Sequence, residues 1–156
     1  MDKKVVRHSQ VYTTQLVLPN DTNQLGNLLG GTLMHWIDIA GAIAAQRHSG
    51  RVCVTASIDE LNFHEPIRLG EIVTLQASVN RSFHSSMEVG VMVTASRLAG
   101  GPPLRANNAY LTFVAIDEHG HPVQVPELVP ESSDEKRRYD AALVRREARL
   151  KRRERA

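Results

Sequence analysis

Asp38 lies within the run Leu33-Met34-His35-Trp36-Ile37-Asp38-Ile39-Ala40. A carboxylate among apolar neighbours costs on the order of several kcal/mol if it is buried, charged and unpartnered. Two roles suit such a group. It is either a structural acid held by the backbone or a second chain, or a general base that takes a proton from water. Upstream, Asn23-Gln24-Leu25-Gly26-Asn27-Leu28-Leu29-Gly30-Gly31 brings glycines to a helix start. Free N–H groups and the helix dipole there favour an anion or a developing oxyanion. A tight turn that needs glycine on steric grounds explains the same residues, and both readings hold together. The amide of Asn23 can polarise a carbonyl or hold a water, or it is only a turn residue.

Geometry constrains how these groups combine. Seven residues separate Gly31 from Asp38, roughly 10 Å at 1.5 Å per helical residue. A helix-start amide and Asp38 of the same chain therefore cannot readily act on one carbonyl. Two such helices lying antiparallel would place the start of one beside the middle of the other, so a dimer with two composite sites is expected. Other candidates are weaker. Cys53 lies in an apolar, strand-like run and reads as an inert thiol. His119 and His121 flank Gly120, while His64 and His84 stand alone, so none has a ligand spacing typical of metal sites. A hairpin turn and solvent-facing rings account for them, and no metal is expected.

The elements that must position Asp38 follow from the hydrophobic pattern. Residues 10–18 read as a strand, broken by Pro19-Asn20-Asp21-Thr22-Asn23. From about Thr32 to His48, Leu33, Trp36, Ile37, Ala40 and Ala44 recur at helical spacing. The far side of this helix is scarcely more polar, which predicts burial on several sides. Strands are then expected from 52 to about Phe63, and over 71–80, 86–98 and 104–116. Gly100-Gly101-Pro102-Pro103 is a clear break, and Pro122, Pro126 and Pro130 mark an extended connector. Ser133 or Asp134 is the expected cap of a last helix reaching about Arg153. One strand, one apolar helix, four strands and a polar helix predict an α+β fold, an antiparallel sheet around a central helix.

Composition bounds the rest. The 156 residues suit a domain spanning 1–130 with a basic helical tail over 131–156. No apolar run approaches the roughly 20 residues of a membrane span, the first residues lack a signal-peptide pattern, and a lone cysteine suits a reducing cytoplasm. The net charge of +2 is uneven. Residues 134–156 hold ten Lys/Arg against five Asp/Glu, and the first 133 hold nine against twelve. The tail thus suits an anionic partner or plain solvation. Nucleic acid is disfavoured, because the tail lacks interleaved aromatics and a known reader motif.

The series Asn23, Gly26-Asn27, Gly30-Gly31, Trp36-Ile37-Asp38 and Ala40-Gly41 resembles the cytosolic acyl-CoA thioesterase (acyl-CoA hydrolase) family of hotdog proteins. The likeness continues through Val54-Thr55-Ala56-Ser57-Ile58-Asp59 and Asn62-Phe63-His64-Glu65-Pro66-Ile67-Arg68-Leu69-Gly70. It runs on to Ser85-Ser86-Met87-Glu88-Val89 and Val125-Pro126-Glu127-Leu128-Val129-Pro130-Glu131, and covers about residues 10–150 in register. The resemblance implies a hotdog fold, dimers with a shared sheet and a trimer of dimers. Asn23 and Asp38 match the family's catalytic pair, with Asp38 contributed by the neighbouring subunit. Thr55, Ala56, Ser57, His84, Ser85, Ser86 and Arg145 fall where the family contacts coenzyme A. Arg137, Arg138 and Arg146 are further tail cations within reach of its phosphates.

The implied reaction is hydrolysis of a fatty acyl-CoA without a cofactor, coenzyme A being part of substrate and product. Gly31 would serve as the leading oxyanion donor and Asp38 as general base or nucleophile. Leu28, Leu29, Ile58 and Phe63 suggest a hydrophobic tunnel. A hotdog hydratase would want a histidine beside its carboxylate, and a non-catalytic acyl-CoA sensor would bind without turnover.

Overall fold

The computed structural model describes residues 1–59, 61 and 65–155. In chain order the elements are β1 (Lys4–Val5), β2 (Val11–Leu16), α1 (Gly30–Ser49), β3 (Val52–Asp59), β4 (Ile72–Ser82), β5 (Ser86–Ser96), β6 (Leu104–Ile116), β7 (Leu128–Val129) and α2 (Ser133–Glu154). Five strands form one antiparallel sheet in the order β2-β4-β5-β6-β3. The expected α+β architecture is what forms. The expected strand continuation to Phe63 falls partly on Glu60 and on Asn62, Phe63 and His64, which lie outside the described residues. Sequence patterning misses the parallel pairing of β1 with β7, because two residues carry no periodicity.

Alternation makes one face of the sheet apolar. Val73, Leu75, Ala77 and Val79 on β4, Met87, Val89, Val91 and Val93 on β5, and Leu111, Phe113 and Ala115 on β6 are all buried. Leu33, Ile37, Ala40, Ala44 and Ala45 of α1 lie in the same core. Small residues set how closely the helix approaches: a Cβ added to Gly41 would lie 2.9 Å from the Phe113 ring, so only glycine lets α1 seat there. Gly50 closes the helix in the left-handed conformation at φ 68°. The far side of α1 departs from expectation. Met34 and Ile39 are exposed, so this chain buries its helix on one side only.

The edge strand β3 carries a bulge. Thr55 pairs with Phe113 and Ser57 with Thr112, leaving Ala56 without a partner. One extra residue reverses the alternation of side chains. Before it, Cys53 and Thr55 stand opposite Ala115 and Phe113, on the helix side. After it, Ile58 opposite Leu111 takes that side, while Ser57 and Asp59 turn to the outer face. Helix α2 covers that outer face. Its cap is Ser132, not Ser133 or Asp134: the Ser132 hydroxyl accepts from the Glu135 N–H at 3.1 Å, and Glu135 Oε1 accepts from the Glu131 N–H at 2.8 Å. The spacing Ser132-x-x-Glu135 has the pattern of a capping box, but the Glu135 carboxylate reaches the N–H of Glu131 and not that of Ser132.

His48, at the end of α1, is fully buried, and its Nε2 meets the Pro126 carbonyl at 2.7 Å. A carbonyl only accepts, so Nε2 carries the proton and donates. Burial pushes this imidazole below its ordinary value; the Pro126 bond opposes the shift, and Lys4 and His8 add to it. Between the lowered native value and the unfolded value near 6.5, the unfolded chain binds more protons, so stability rises with pH there. Denaturant unfolding should therefore show stability falling as pH drops from 7.5 to 5.5. His48→Gln should flatten that slope, and an unchanged slope would clear His48 of the effect.

Candidate active site

Asp38 projects from the middle of α1, half-buried, and its Oδ1 accepts a hydrogen bond from the Thr55 hydroxyl at 2.6 Å. The alternation set by Ala56 places Thr55 on the helix side of the edge strand. Position in the sequence gives no hint of this contact, since it joins residues seventeen apart in different elements. Thr55, expected from the resemblance as a coenzyme A contact, thus fixes one carboxylate oxygen and leaves Oδ2 available. Ala56 is the bulge. Ser57 Oγ and Thr112 Oγ1, opposite each other on the outer face, are buried without a partner among the described residues.

The helix start is open. Leu29 stands at the cap position with no side-chain bond, and the first backbone bond is Leu33 N–H to Leu29 O at 3.1 Å. The N–H groups of Gly30, Gly31 and Thr32 therefore have no acceptor among the described residues. Gly31 has an ordinary φ, and a Cβ there would meet nothing within 4 Å. The steric reading of this glycine fails within the chain; the space beside it is free for a ligand or a second subunit. Asn23, exposed on the preceding turn, uses its Oδ1 to accept from the N–H groups of Leu25 at 2.9 Å and Asn27 at 3.1 Å. That arrangement leaves its Nδ2 hydrogens pointing outward as donors. A cavity of about 310 Å³ adjoins the helix start, lined by Asn27, Leu28, Gly30, Leu33, Pro66 and Ile67 among others. Leu28 lines it as the tunnel reading requires; Leu29 is exposed, Ile58 is half-buried, and Phe63 is outside the described residues.

The remaining predicted residues gather elsewhere. His84 and Ser85 form the β4–β5 turn and Ser86 opens β5, with His84 exposed. Tail arginines reach this region across the outer face, where plain solvation was the simpler expectation. Arg145 forks onto Glu88, Nε to Oε2 at 3.0 Å and Nη2 to Oε1 at 2.7 Å, and lies 3.7 Å over the Tyr110 ring. Burial opposes the charge, but the Glu88 bond overcomes it and holds the guanidinium above the usual arginine value. Asn80 donates to the same Glu88 at 3.0 Å. Arg149 pairs with Asp59 at 2.7 Å. Arg137 and Arg138 instead line a polar cavity of about 330 Å³ with Gln76, Ser78, Asn108 and Tyr110. His119 and His121 belong to a turn in which Asp117 Oδ1 accepts from both their backbone N–H groups. Burial raises the Cys53 thiol, with a Ser49 bond opposing, which fits an unreactive cysteine.

Residues 25–99 match the thioesterase superfamily model. An uncharacterised acyl-CoA thioester hydrolase of Bacillus subtilis is 40% identical over 92% of this chain and 84% of its own length. The chain belongs to the acyl-CoA thioesterase family. Mouse acyl-coenzyme A thioesterase 11 is also 40% identical over 91% of the chain, which spans only 24% of that longer protein. The acyl-CoA hydrolase of Staphylococcus aureus, solved with butyryl coenzyme A, coenzyme A and coenzyme A disulfide, superposes at a TM-score of 0.90. It is 41% identical, covering 97% of this chain and 92% of its own. Structures of that enzyme include alanine variants of one aspartate, one asparagine and one threonine. A hexameric acyl-CoA thioesterase superposes at 0.93 with 38% identity, covering 97% of both chains. The hotdog fold implied by the sequence resemblance is therefore the fold of this thioesterase-family chain.

Glu88 is 1% exposed, so removing its arginine strands a buried charge. Arg145→Ala should lower unfolding stability by about 3 kcal/mol. The double variant Glu88→Met/Arg145→Leu should recover most of that loss, since apolar replacement of a whole buried pair is close to neutral. Chemical denaturation of the three proteins checks both statements.

Proposed function

We propose that this chain is a cytoplasmic thioesterase that hydrolyses a fatty acyl-CoA to the free acid and coenzyme A at a site shared between two subunits. The observation that carries the reading is Asp38 held by the Thr55 hydroxyl at 2.6 Å on the uncovered edge of the sheet. Asn23, Asp38 and Thr55 follow one another at intervals of fifteen and seventeen residues, the same intervals that separate the asparagine, aspartate and threonine altered in the staphylococcal enzyme. The coenzyme A species bound to that enzyme support the substrate class.

In this mechanism the thioester carbonyl oxygen accepts from the Gly31 N–H, with the Asn23 Nδ2 as a second donor. Donors aimed at an oxyanion are worth roughly 3–4 kcal/mol each. Asp38 of the neighbouring subunit takes a proton from water through its free Oδ2. The water oxygen bonds to the carbonyl carbon, the C–S bond breaks, and the proton returns to the departing thiolate. The acyl chain lies in the cavity beside Leu28 and Leu33. Assembly supplies what one chain lacks: exposed Leu29, Met34 and Ile39 form the face that a second subunit covers, with β3 pairing to β3. The hexameric relative supports a trimer of such dimers.

Thiol release from acyl-CoAs of graded chain length tests the reading. Asp38→Ala should lower kcat by about 10²–10⁴-fold and Asn23→Ala by about 10²–10³-fold, with circular dichroism unchanged. Thr55→Val should lower kcat less than Asp38→Ala does, with KM little changed. Binding of acyl-CoA without turnover at any length would replace this reading with that of a sensor. Full activity in Asp38→Ala would overturn the mechanism.

A further inference from the structure

Asn107 interrupts the apolar, helix-facing side of the sheet. It stands on β6 opposite Val93 and is only 2% exposed. Neither its Oδ1 nor its Nδ2 has a partner among the described residues. A buried amide without hydrogen bonds is costly, and an apolar side chain of similar shape would remove the cost. A trapped water does not resolve this, because a buried water needs about two to four polar partners. Val93, Ala95 and Ala109, the nearest ladder positions on the same face, have apolar side chains. The place of the amide is informative. Gly41 of α1 sits over Phe113. From that contact Asn107 lies six residues back along β6, about 20 Å at 3.3 Å per residue. Gly30 lies eleven residues back along α1, about 16 Å at 1.5 Å per residue. Both run toward one end of the sheet: the Leu28 N–H bonds to Ile67 O just ahead of β4, and Ile72 of β4 pairs with Ser96, three residues past Val93. The cavity of about 310 Å³ lies at that end and reaches in to buried Leu33. Asn27 in its wall has an Oδ1 that is buried, again without a partner among the described residues.

Resting on the acyl-CoA reading above, we infer that Asn27 and Asn107 are specificity-determining residues, and that the acyl group this chain prefers is of medium length and carries a hydroxyl that bonds to these amides. At about 30 Å³ per water-sized volume the cavity has room for about ten non-hydrogen atoms. An amide presents both a donor and an acceptor, so it can meet the hydrogen and the oxygen of one hydroxyl. A plain alkyl chain in the same place leaves both amides unpaired. A site whose buried polar groups await a hydroxyl discriminates against the analogue that lacks it.

The experiment measures kcat/KM of wild type, Asn27→Leu, Asn107→Leu and Asn107→Thr on octanoyl-CoA, 3-hydroxyoctanoyl-CoA and ω-hydroxyoctanoyl-CoA. Wild type should favour one hydroxylated thioester over octanoyl-CoA by about ten- to a hundredfold, and which isomer it favours locates the amides along the chain. Asn107→Leu should abolish that preference, keep octanoyl-CoA turnover and raise the urea midpoint of unfolding, since an unpaired amide has been removed. Asn107→Thr, which keeps a hydroxyl in the core, should retain part of the preference. If Asn107→Leu does not fold, Asn107→Thr and Asn27→Leu carry the test. Loss in only one of the two leucine variants assigns the hydroxyl to that amide. Equal kcat/KM for plain and hydroxylated thioesters in wild type, or a preference that survives both leucine variants, overturns the inference. If wild type cleaves none of the three, the parent reading falls. Calorimetric titration of the same thioesters into wild type and Asn27→Leu then still decides the role of the amides, by a hydroxyl preference in affinity or by its absence.

Discussion

Everything in this chain depends on seating one apolar helix against one sheet at the shortest distance the side chains allow. Gly41 over the Phe113 ring sets that distance, and Ala40, Ala44 and Ala45 extend the contact along the same face. Close seating brings the middle of α1 to the edge strand, where the Asp38 carboxylate reaches the Thr55 hydroxyl. The bulge at Ala56 makes the meeting possible. Without the extra residue, Thr55 and Asp59 would point to one side; with it, Thr55 serves α1 and Asp59 serves α2. A fold decision and a site decision are thus taken at the same residue.

Much of this was legible in the sequence because period and punctuation are local. The spacing of Leu33, Ile37, Ala40 and Ala44 marks α1, and Gly100-Gly101-Pro102-Pro103 marks the turn between the last long strands. The helix nevertheless begins at Gly30 instead of about Thr32. Glycines weaken a helix by propensity, but here Leu29 and the turn before it set the entry. What could not be read was long-range: the Asp38–Thr55 bond, the bulge, and the partners of the tail arginines. No pattern within ten residues of Arg145 indicates that Glu88 will receive it. The apolar far side of α1 was a different case. It led to an expectation of burial on several sides, whereas Met34 and Ile39 stay exposed in this chain, and a second subunit over them is part of the proposed function.

The two faces of the sheet do different electrostatic work. The helix side is apolar and holds the Asp38 carboxylate at its rim. On the outer side buried Glu88 and half-buried Asp59 are each met by an arginine, so part of the basic surplus of the tail is spent on internal pairing. A net charge computed for the tail overstates what it offers to a ligand. The residue-by-residue partners, not the sum, decide where an anion is welcome.

Leu29 at the head of α1 has a last consequence. A serine or aspartate there would satisfy a backbone donor and add about 1 kcal/mol of stability, so the chain forgoes a gain that a single substitution would supply. It forgoes it where the free N–H groups face open space. A selection for thermal hardiness alone would find that substitution early, and would close with a side chain the place proposed for the thioester carbonyl oxygen. Under the proposed mechanism, robustness and turnover compete here for the same few hydrogens.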